Sequence, residues 1–140
     1  MEFVREPTYE ISFRFRKVLV PVDGSESSLK ALDLAMDVAR RYGSRVTVLH
    51  VRVRGVGPEG VMERAKARAG SKGLPISFKE VEIDPVFSSV PKAIVDEVIN
   101  GGYDMVIMGA RGMTVSEELN IGSVAAAVVM NAPTTIVIVR

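Results

Sequence analysis

The chain alternates between two hydrophobic periodicities, one typical of strands and one typical of helices. Five short apolar or alternating runs, rich in β-branched residues, predict strands: 17–23, 45–53, 76–83, 104–108 and 134–139. Four longer stretches with apolar residues at helical spacing predict helices: 25–42, 61–69, about 90–100 and 123–130. Strands that alternate with helices pair in parallel through right-handed crossovers. The pattern therefore predicts an open, five-stranded parallel α/β sheet with helices on both faces.

Individual residues sharpen the predicted boundaries and the predicted core. Asp23 and Glu26 have the spacing of a capping box at the start of helix 1, and Gly43 suits its C-terminal end. Ser88 or Ser89 is expected to cap helix 3, whose inward-facing side chains should be Ile94, Val95, Val98 and Ile99. Four methionines are expected to fill the core: Met36, Met105, Met108 and Met130.

Length and composition fit one domain with an added N-terminal segment. The 140 residues suit a single core, and 47% hydrophobic residues is far from the profile of a disordered chain. Residues 1–14 are predicted to form an extension, with one added strand at 9–13, and residues 15–140 to form the domain. The apolar runs are far shorter than the ~20 residues of a membrane span. The N-terminus lacks the apolar segment of a secretory signal, so we expect a cytoplasmic protein.

Charge balance and the scarcity of ligating side chains exclude several classes of chemistry. With 18 basic and 17 acidic residues, the overall charge points neither to nucleic acid nor to an anionic membrane as a partner. The absence of cysteine removes disulfides, thiol catalysis and thiolate metal sites. The single histidine, His50, cannot build a histidine cluster and is expected to pack along strand 2. The ligand must therefore be sought in local motifs.

Two glycine motifs compete for an anionic ligand, and the first is the weaker one. Residues 55–60, Gly-Val-Gly-Pro-Glu-Gly, have the spacing of a dinucleotide fingerprint, with Glu80 at the position of a ribose-binding acid. However, Pro58 removes an amide from the turn, and Glu59 would place a negative charge beside a pyrophosphate. The motif also begins at strand 2, which leaves too little chain for the usual two-half dinucleotide fold. We therefore expect residues 55–60 to form a surface loop.

The second motif follows strand 4 and leads into the last helix. Gly109 and Gly112 are followed, after nine further residues, by Gly122 and Ser123. Glycines at both ends of this loop are expected to take a positive φ angle and to let the backbone approach an anion closely. The free amides and dipole of the helix, together with the Ser123 hydroxyl, favour a phosphate group. The alternative is that these glycines only shape a turn and that Ser123 is an ordinary N-cap.

Three separated segments carry a resemblance to a known family. They are 17–25 (KVLVPVDGS), 49–51 (LHV) and 104–112 (DMVIMGARG). In this order they resemble the universal stress protein family, and the resemblance covers the chain from about Phe15 to Arg140. The ATP-binding subgroup of that family is marked by G-x-x-G, nine residues and G-[S/T], a spacing that residues 109–123 satisfy. The resemblance implies the Rossmann-like fold of the adenine nucleotide alpha hydrolases, with strand order 3-2-1-4-5 and ATP across the ends of strands 1, 2 and 4.

The resemblance also implies roles for individual residues. Three residues at the end of strand 1 would line the adenosine and phosphate side: Pro21, Val22 and Asp23. The main chain of Val51 would meet adenine, and Met108 and Gly109 would border the ribose and base. Four residues would hold the phosphates: Gly112, Gly122, Ser123 and Val124. AMP and ADP are alternatives to ATP as the bound nucleotide.

The sequence also predicts a metal ion and a partner chain. Asp23 is expected to help hold Mg²⁺ through the phosphates, although it is equally suited to be a helix cap. Glu117 and Glu118 depart from the basic or neutral residues of many relatives. They would repel a triphosphate, require Mg²⁺ as a mediator, or simply form a solvated loop face, and Arg111 would offset one of them. Dimerisation through the last strand is common in the family. Both this habit and the unprotected sheet edge predict a homodimer through Thr135 to Val139.

The functional prediction is an ATP-binding sensor or regulator of the stress response, whose loop at 110–121 orders around the nucleotide. Hydrolysis of ATP is expected to be slow at most, because no G-x-x-x-x-G-K-[ST] segment is present. One alternative is a nucleotide-free interaction domain of the same fold. A second is a phosphoacceptor receiver domain that uses Asp23 and Asp84, but it fits poorly because no lysine ends strand 5.

Overall fold

Five parallel strands form the centre of the fold in the computed structural model, which describes residues 15–70, 72–111 and 121–140. The elements in chain order are β1 (Lys17–Pro21), α1 (Glu26–Tyr42), β2 (Arg45–Val53), α2 (Val61–Ala69), β3 (Ile76–Ile83), α3 (Val90–Gly101), β4 (Met105–Gly109), α4 (Ser123–Asn131) and β5 (Thr135–Val139). The strand order across the sheet is β3-β2-β1-β4-β5, and every neighbouring pair is parallel. The predicted sheet and strand order are confirmed. The predicted strand at 9–13 lies outside the described residues.

The helices cover the sheet on both faces, because the central strands carry apolar side chains in both directions. One core joins Val18 and Val20 of β1 to the buried stripe of α1 and to α2. The other joins Leu19 of β1 and Val106 of β4 to α3 and α4. These two cores fix the helices over the strands, so that the helix N-termini lie at the carboxyl ends of the strands. None of the helices in the described ranges combines the length and the apolar character that a bilayer crossing requires.

Two predicted details of the core and one predicted cap are wrong. Ser25, not Asp23, caps α1, because its backbone is extended beside Glu26 and its hydroxyl accepts a hydrogen bond from the Ser28 amide at 3.2 Å. Ile99 is 58% exposed, since it lies about 100° around α3 from the buried Val98. Met130 is 82% exposed near the end of α4, about 200° around the helix from the buried Val128.

A polar contact ties α3 to the edge of the sheet. The Lys79 ammonium donates to the Glu97 carboxylate at 2.8 Å, and the Tyr103 hydroxyl donates to the same side chain at 3.0 Å. The hydrogen bond to Glu97 raises the pKa of Lys79, and burial raises the pKa of Tyr103. This contact and the buried Ile94 and Val98 hold α3 in place, so its first two turns form a fixed wall beside the ends of β2 and β3.

Candidate functional site

A cavity of about 420 Å³ lies at the carboxyl ends of the strands, between the loops and the first turns of α3 and α4. It brings together nine of the ten predicted site residues: Pro21, Val22, Asp23, Val51, Met108, Gly109, Gly122, Ser123 and Val124. The tenth, Gly112, lies outside the described residues, as do Glu117 and Glu118. Such a crevice at the strand ends is where open α/β sheets bind ligands.

One end of the cavity offers an unpaired stretch of main chain. β1 ends in register with Leu49, whose carbonyl accepts from the Val22 amide at 2.8 Å, while β2 continues to Val53. Alternate residues of a strand point their N–H and C=O groups to the same side, so the main chain of Val51 faces the side that β1 has left. Val53 shares that side, but its carbonyl accepts from the Val56 amide. Val51 therefore presents a donor and an acceptor to the cavity.

The other end of the cavity is the start of α4. Gly122 is the N-cap, and among the residues that the structure describes no side chain caps this helix. The Gly122 amide is already used, because it donates to the Ala110 carbonyl at 2.5 Å, and the Gly122 carbonyl accepts from Ala126. The amides left in the first turn are those of Ser123, Val124 and Ala125, and all three residues line the cavity. Three N–H groups and the positive end of the helix dipole make this end suitable for an anion.

Ala110, the residue that follows β4, is hydrogen-bonded to the last strand, β5. The Ala110 amide donates to the Val139 carbonyl at 2.7 Å, and the Ser27 hydroxyl donates to the same oxygen at 3.1 Å. Ala110 is thus bonded through its N–H to β5 and through its C=O to the start of α4. These bonds fix the positions of Ala110, just after β4, and of Gly122, just before α4.

The glycines of this motif have a different role from the predicted one. Gly122 has an extended backbone, with φ at −73°, and Gly109 is likewise absent from the glycines with positive φ. The predicted positive φ angles are therefore wrong for Gly109 and Gly122, while Gly112 lies outside the described residues. A Cβ atom on Gly109 would lie 2.8 Å from the carbonyl carbon of Ser27 and 2.9 Å from its Cβ atom. Glycine is required at 109 because β4 packs directly on the first turn of α1.

Asp23 lines the cavity and is half-buried. Its Oδ1 atom accepts from the Ser25 amide at 2.9 Å and from the Ser25 hydroxyl at 2.5 Å. The carboxylate thus orients the residue that caps α1. Within the described ranges, no hydrogen bond involves Oδ2, so this oxygen is the one available to a ligand or a hydrated cation. Asp23 is not itself the helix cap, but it supports the cap.

The first glycine motif forms an exposed loop with an acidic side. Gly55, Gly57 and Gly60 all have positive φ angles, and residues 55–59 are exposed. A second cavity of about 320 Å³ adjoins the start of α2, and three carboxylate residues line it: Glu59, Glu63 and Glu80. A pyrophosphate at this helix would meet those charges. His50 is buried beside Glu80, with its Nδ1 atom 3.3 Å from the carboxylate.

Sequence reasoning missed the apolar residues that complete the main cavity. The loop after β2 contributes Val56, Gly57 and Pro58, and α3 contributes Val90 and Ile94. The signal available was positional, because these residues follow the end of a predicted strand or lie in the first two turns of a predicted helix. By contrast, Asp84 does not line the cavity and pairs with Arg54 at 3.5 Å. The two acids of the receiver alternative are therefore not brought together.

Comparison with known proteins identifies the family. The sequence pattern of the Universal stress protein family matches residues 14–140, so the chain belongs to this family. Universal stress protein YxiE of Bacillus subtilis is 26% identical over a 147-residue alignment that covers 90% of this chain and 99% of that protein.

Two solved structures show the same fold. A universal stress protein in complex with cAMP has a TM-score of 0.71 at 24% identity, over 91% of this chain and 98% of that one. A universal stress protein from Archaeoglobus fulgidus in complex with dAMP has a TM-score of 0.70 at 19% identity, over 91% of this chain and 100% of that one. At these identities the likeness is evidence of fold.

Proposed function

We propose that the cavity binds an adenine nucleotide, with ATP as the expected ligand and AMP or ADP as alternatives. The observation that carries this proposal is that a largely apolar cavity is lined by polar main-chain groups at two separate places. The Val51 main chain lies at one end, and the free amides of Ser123, Val124 and Ala125 lie at the other. A nucleotide has the matching polarity, since its base and its phosphates lie at opposite ends of the sugar. The cAMP and dAMP complexes of related folds support the same class of ligand.

At the strand end, the base is recognised through main-chain groups. The Watson–Crick edge of adenine places an amino donor beside a ring-nitrogen acceptor. The Val51 carbonyl accepts from the amino group, and the Val51 amide donates to the ring nitrogen. Guanine presents a carbonyl and a protonated ring nitrogen instead, so both contacts would be mismatched.

At the helix end, the three free amides hold a phosphate, and the Ser123 hydroxyl adds a donor. Mg²⁺ fits this arrangement only through the phosphates, because no group of three ligating side chains occurs in the described ranges. Asp23 supplies one carboxylate oxygen, and Mg²⁺ in proteins commonly takes one or two carboxylates together with phosphate oxygens. The proposed role is a nucleotide-dependent regulator of the stress response. Slow hydrolysis and a cytoplasmic location stay predictions.

Calorimetry with ATP, ADP and AMP, each with and without Mg²⁺, tests the proposal, with GTP as the control. We expect saturable binding of one adenine nucleotide per chain and binding of GTP at least about tenfold weaker, because two buried hydrogen bonds would be mismatched. Denaturing the purified protein and identifying released nucleotide by mass spectrometry gives an independent check. Absence of binding by all three adenine nucleotides, or equal affinity for GTP, would overturn the assignment.

We also propose that the protein forms a homodimer through β5. The Val139 carbonyl faces β4, because it accepts a hydrogen bond from the Ala110 amide. Main-chain groups alternate in direction along a strand, so the N–H and C=O groups of Ile136 and Ile138 point away from β4. Ile138→Pro removes one outward-facing N–H without removing a bond to β4. Sedimentation should therefore show a monomer for Ile138→Pro and a dimer for Ile138→Ala, which trims the side chain but keeps the N–H. A dimer in both variants would place the interface elsewhere.

A further inference from the structure

An apolar side chain stands exposed on the wall of the cavity. Val56 is 67% exposed, yet it lines the cavity together with Gly57 and Pro58 of the same loop. An exposed valine is not unusual in itself. Its position is the informative feature, because it lies at the end where β2 runs past β1 and where the base is proposed to bind.

The backbone of the loop holds Val56 in this position. The Val56 amide donates to the Val53 carbonyl at 3.1 Å, which turns the chain back directly after β2. Glycines flank the valine on both sides, with φ at +74° for Gly55 and +114° for Gly57, angles that other residues rarely adopt. At the base of the loop, the Arg54 amide donates to the Ile83 carbonyl at 3.0 Å. The glycine spacing of residues 55–60, which resembles a dinucleotide fingerprint, therefore serves to hold the Val56 side chain in its exposed position.

The opposite wall is also apolar. Val90 and Ile94 reach the cavity from α3, and Ile94 is fully enclosed in the core behind it. The loop that carries Val56 leads into α2 on the other face of the sheet from α3, and the residues Val51 and Val53 line the cavity at the strand end where these two faces meet. A flat heterocycle that bonds by its edge to Val51 would have one face toward α3 and the other toward the loop. Aliphatic side chains on both faces suit a nucleobase, whose polar atoms lie on its edges.

We propose that Val56 is a ligand-binding residue that covers the outer face of the bound base. This inference rests on the proposed function and deepens it, because it assigns the Gly55–Gly60 loop to recognition of the base rather than the phosphates. Burial of Val56 on binding removes its exposed apolar surface from water and favours the complex. The ligand class is a nucleotide whose base is bound between two apolar walls.

Titration of ATP into the Val56→Ser variant tests the inference. The variant keeps the loop length and the flanking glycines but loses the two methyl groups, so the Kd should rise about tenfold. Val86→Ser is the matched control, because Val86 is 80% exposed in the next loop and does not line the cavity. Its Kd should stay within about twofold of the parent, as expected for a valine outside the binding contacts. Val56→Leu, which keeps an apolar side chain at this position, should retain most of the affinity of the parent protein.

A direct contact measurement separates covering of the base from an indirect effect. With ATP bound, nuclear Overhauser effects are expected between the Val56 methyl protons and the adenine ring protons. If the parent protein binds ATP and these effects are absent, or if Val56→Ser binds ATP as tightly as the parent, the inference is overturned while the proposed function stands. If the parent itself binds no adenine nucleotide, the proposed function fails first.

Discussion

Replacing Ser123 with aspartate should weaken ATP binding about 100-fold while the free energy of unfolding stays the same or rises slightly. Ser123 is the first residue of α4, and a carboxylate there competes with the phosphate for the free amides and repels its charge. The same carboxylate suits the positive end of the helix dipole, so the helix itself gains stability. Calorimetry and urea unfolding on one preparation measure the two quantities together.

Ser123→Asn is the matched control for this substitution. Asparagine has nearly the shape of aspartate but no charge, so its loss of affinity should be much smaller than that of Ser123→Asp. Equal losses for the two variants would attribute the effect to the missing hydroxyl and not to charge. Undiminished binding by Ser123→Asp would show that the phosphates do not lie at α4.

Replacing Gly109 with alanine should lower the free energy of unfolding by about 1–3 kcal/mol, the range for overpacking in a tight core. The added Cβ atom would lie 2.8 Å from the carbonyl carbon of Ser27, and neither backbone can move easily because β4 and α1 are both anchored in the core. Urea unfolding measures the loss. An unfolding free energy equal to that of the parent protein would contradict the packing argument.

The double variant with Ser27→Ala is the control for the side-chain contribution. It removes the Ser27 hydroxyl but leaves the backbone carbon and the Cβ atom in the way, so most of the destabilisation should remain. This result has a practical consequence for the glycine motif. Loss of nucleotide binding in a Gly109 variant would report a disturbed strand end and not a lost anion contact, so the start of α4 is the better place to test phosphate binding.

The sequence predicts this fold best where an element is determined by its own run of residues and less well where it depends on packing against other elements. β2 and β3 coincide with the predicted strands because their apolar patterns are long and end at clear breakers. The cap of α1 was wrongly predicted as Asp23 because aspartate and serine both suit that position, and only the backbone geometry identifies Ser25 as the cap. Ile99 and Met130 were misjudged because helical spacing does not show where a helix surface turns away from the sheet.

The site was predictable where it follows from strand ends and was missed where it depends on tertiary neighbours. Pro21, Val51 and Met108 were expected from the family resemblance, and all three lie at or near the carboxyl ends of strands, which a parallel sheet brings to one edge. Val56 reaches the cavity only through the left-handed turns on either side of it. Likewise, the sequence marks Gly109 as a glycine but does not reveal that Ser27 lies against it.

The two hydrogen bonds of Ala110 make that residue a junction between the ligand end of the molecule and its outer edge. One bond leads to the start of α4 and the other to the last residue of β5. If a bound ligand shifts Ala110 and thereby changes how β5 binds a second chain, then binding of that second chain to β5 changes the affinity for the ligand by the same factor. Occupancy and assembly would then be reciprocal, each measurable in the equilibrium of the other.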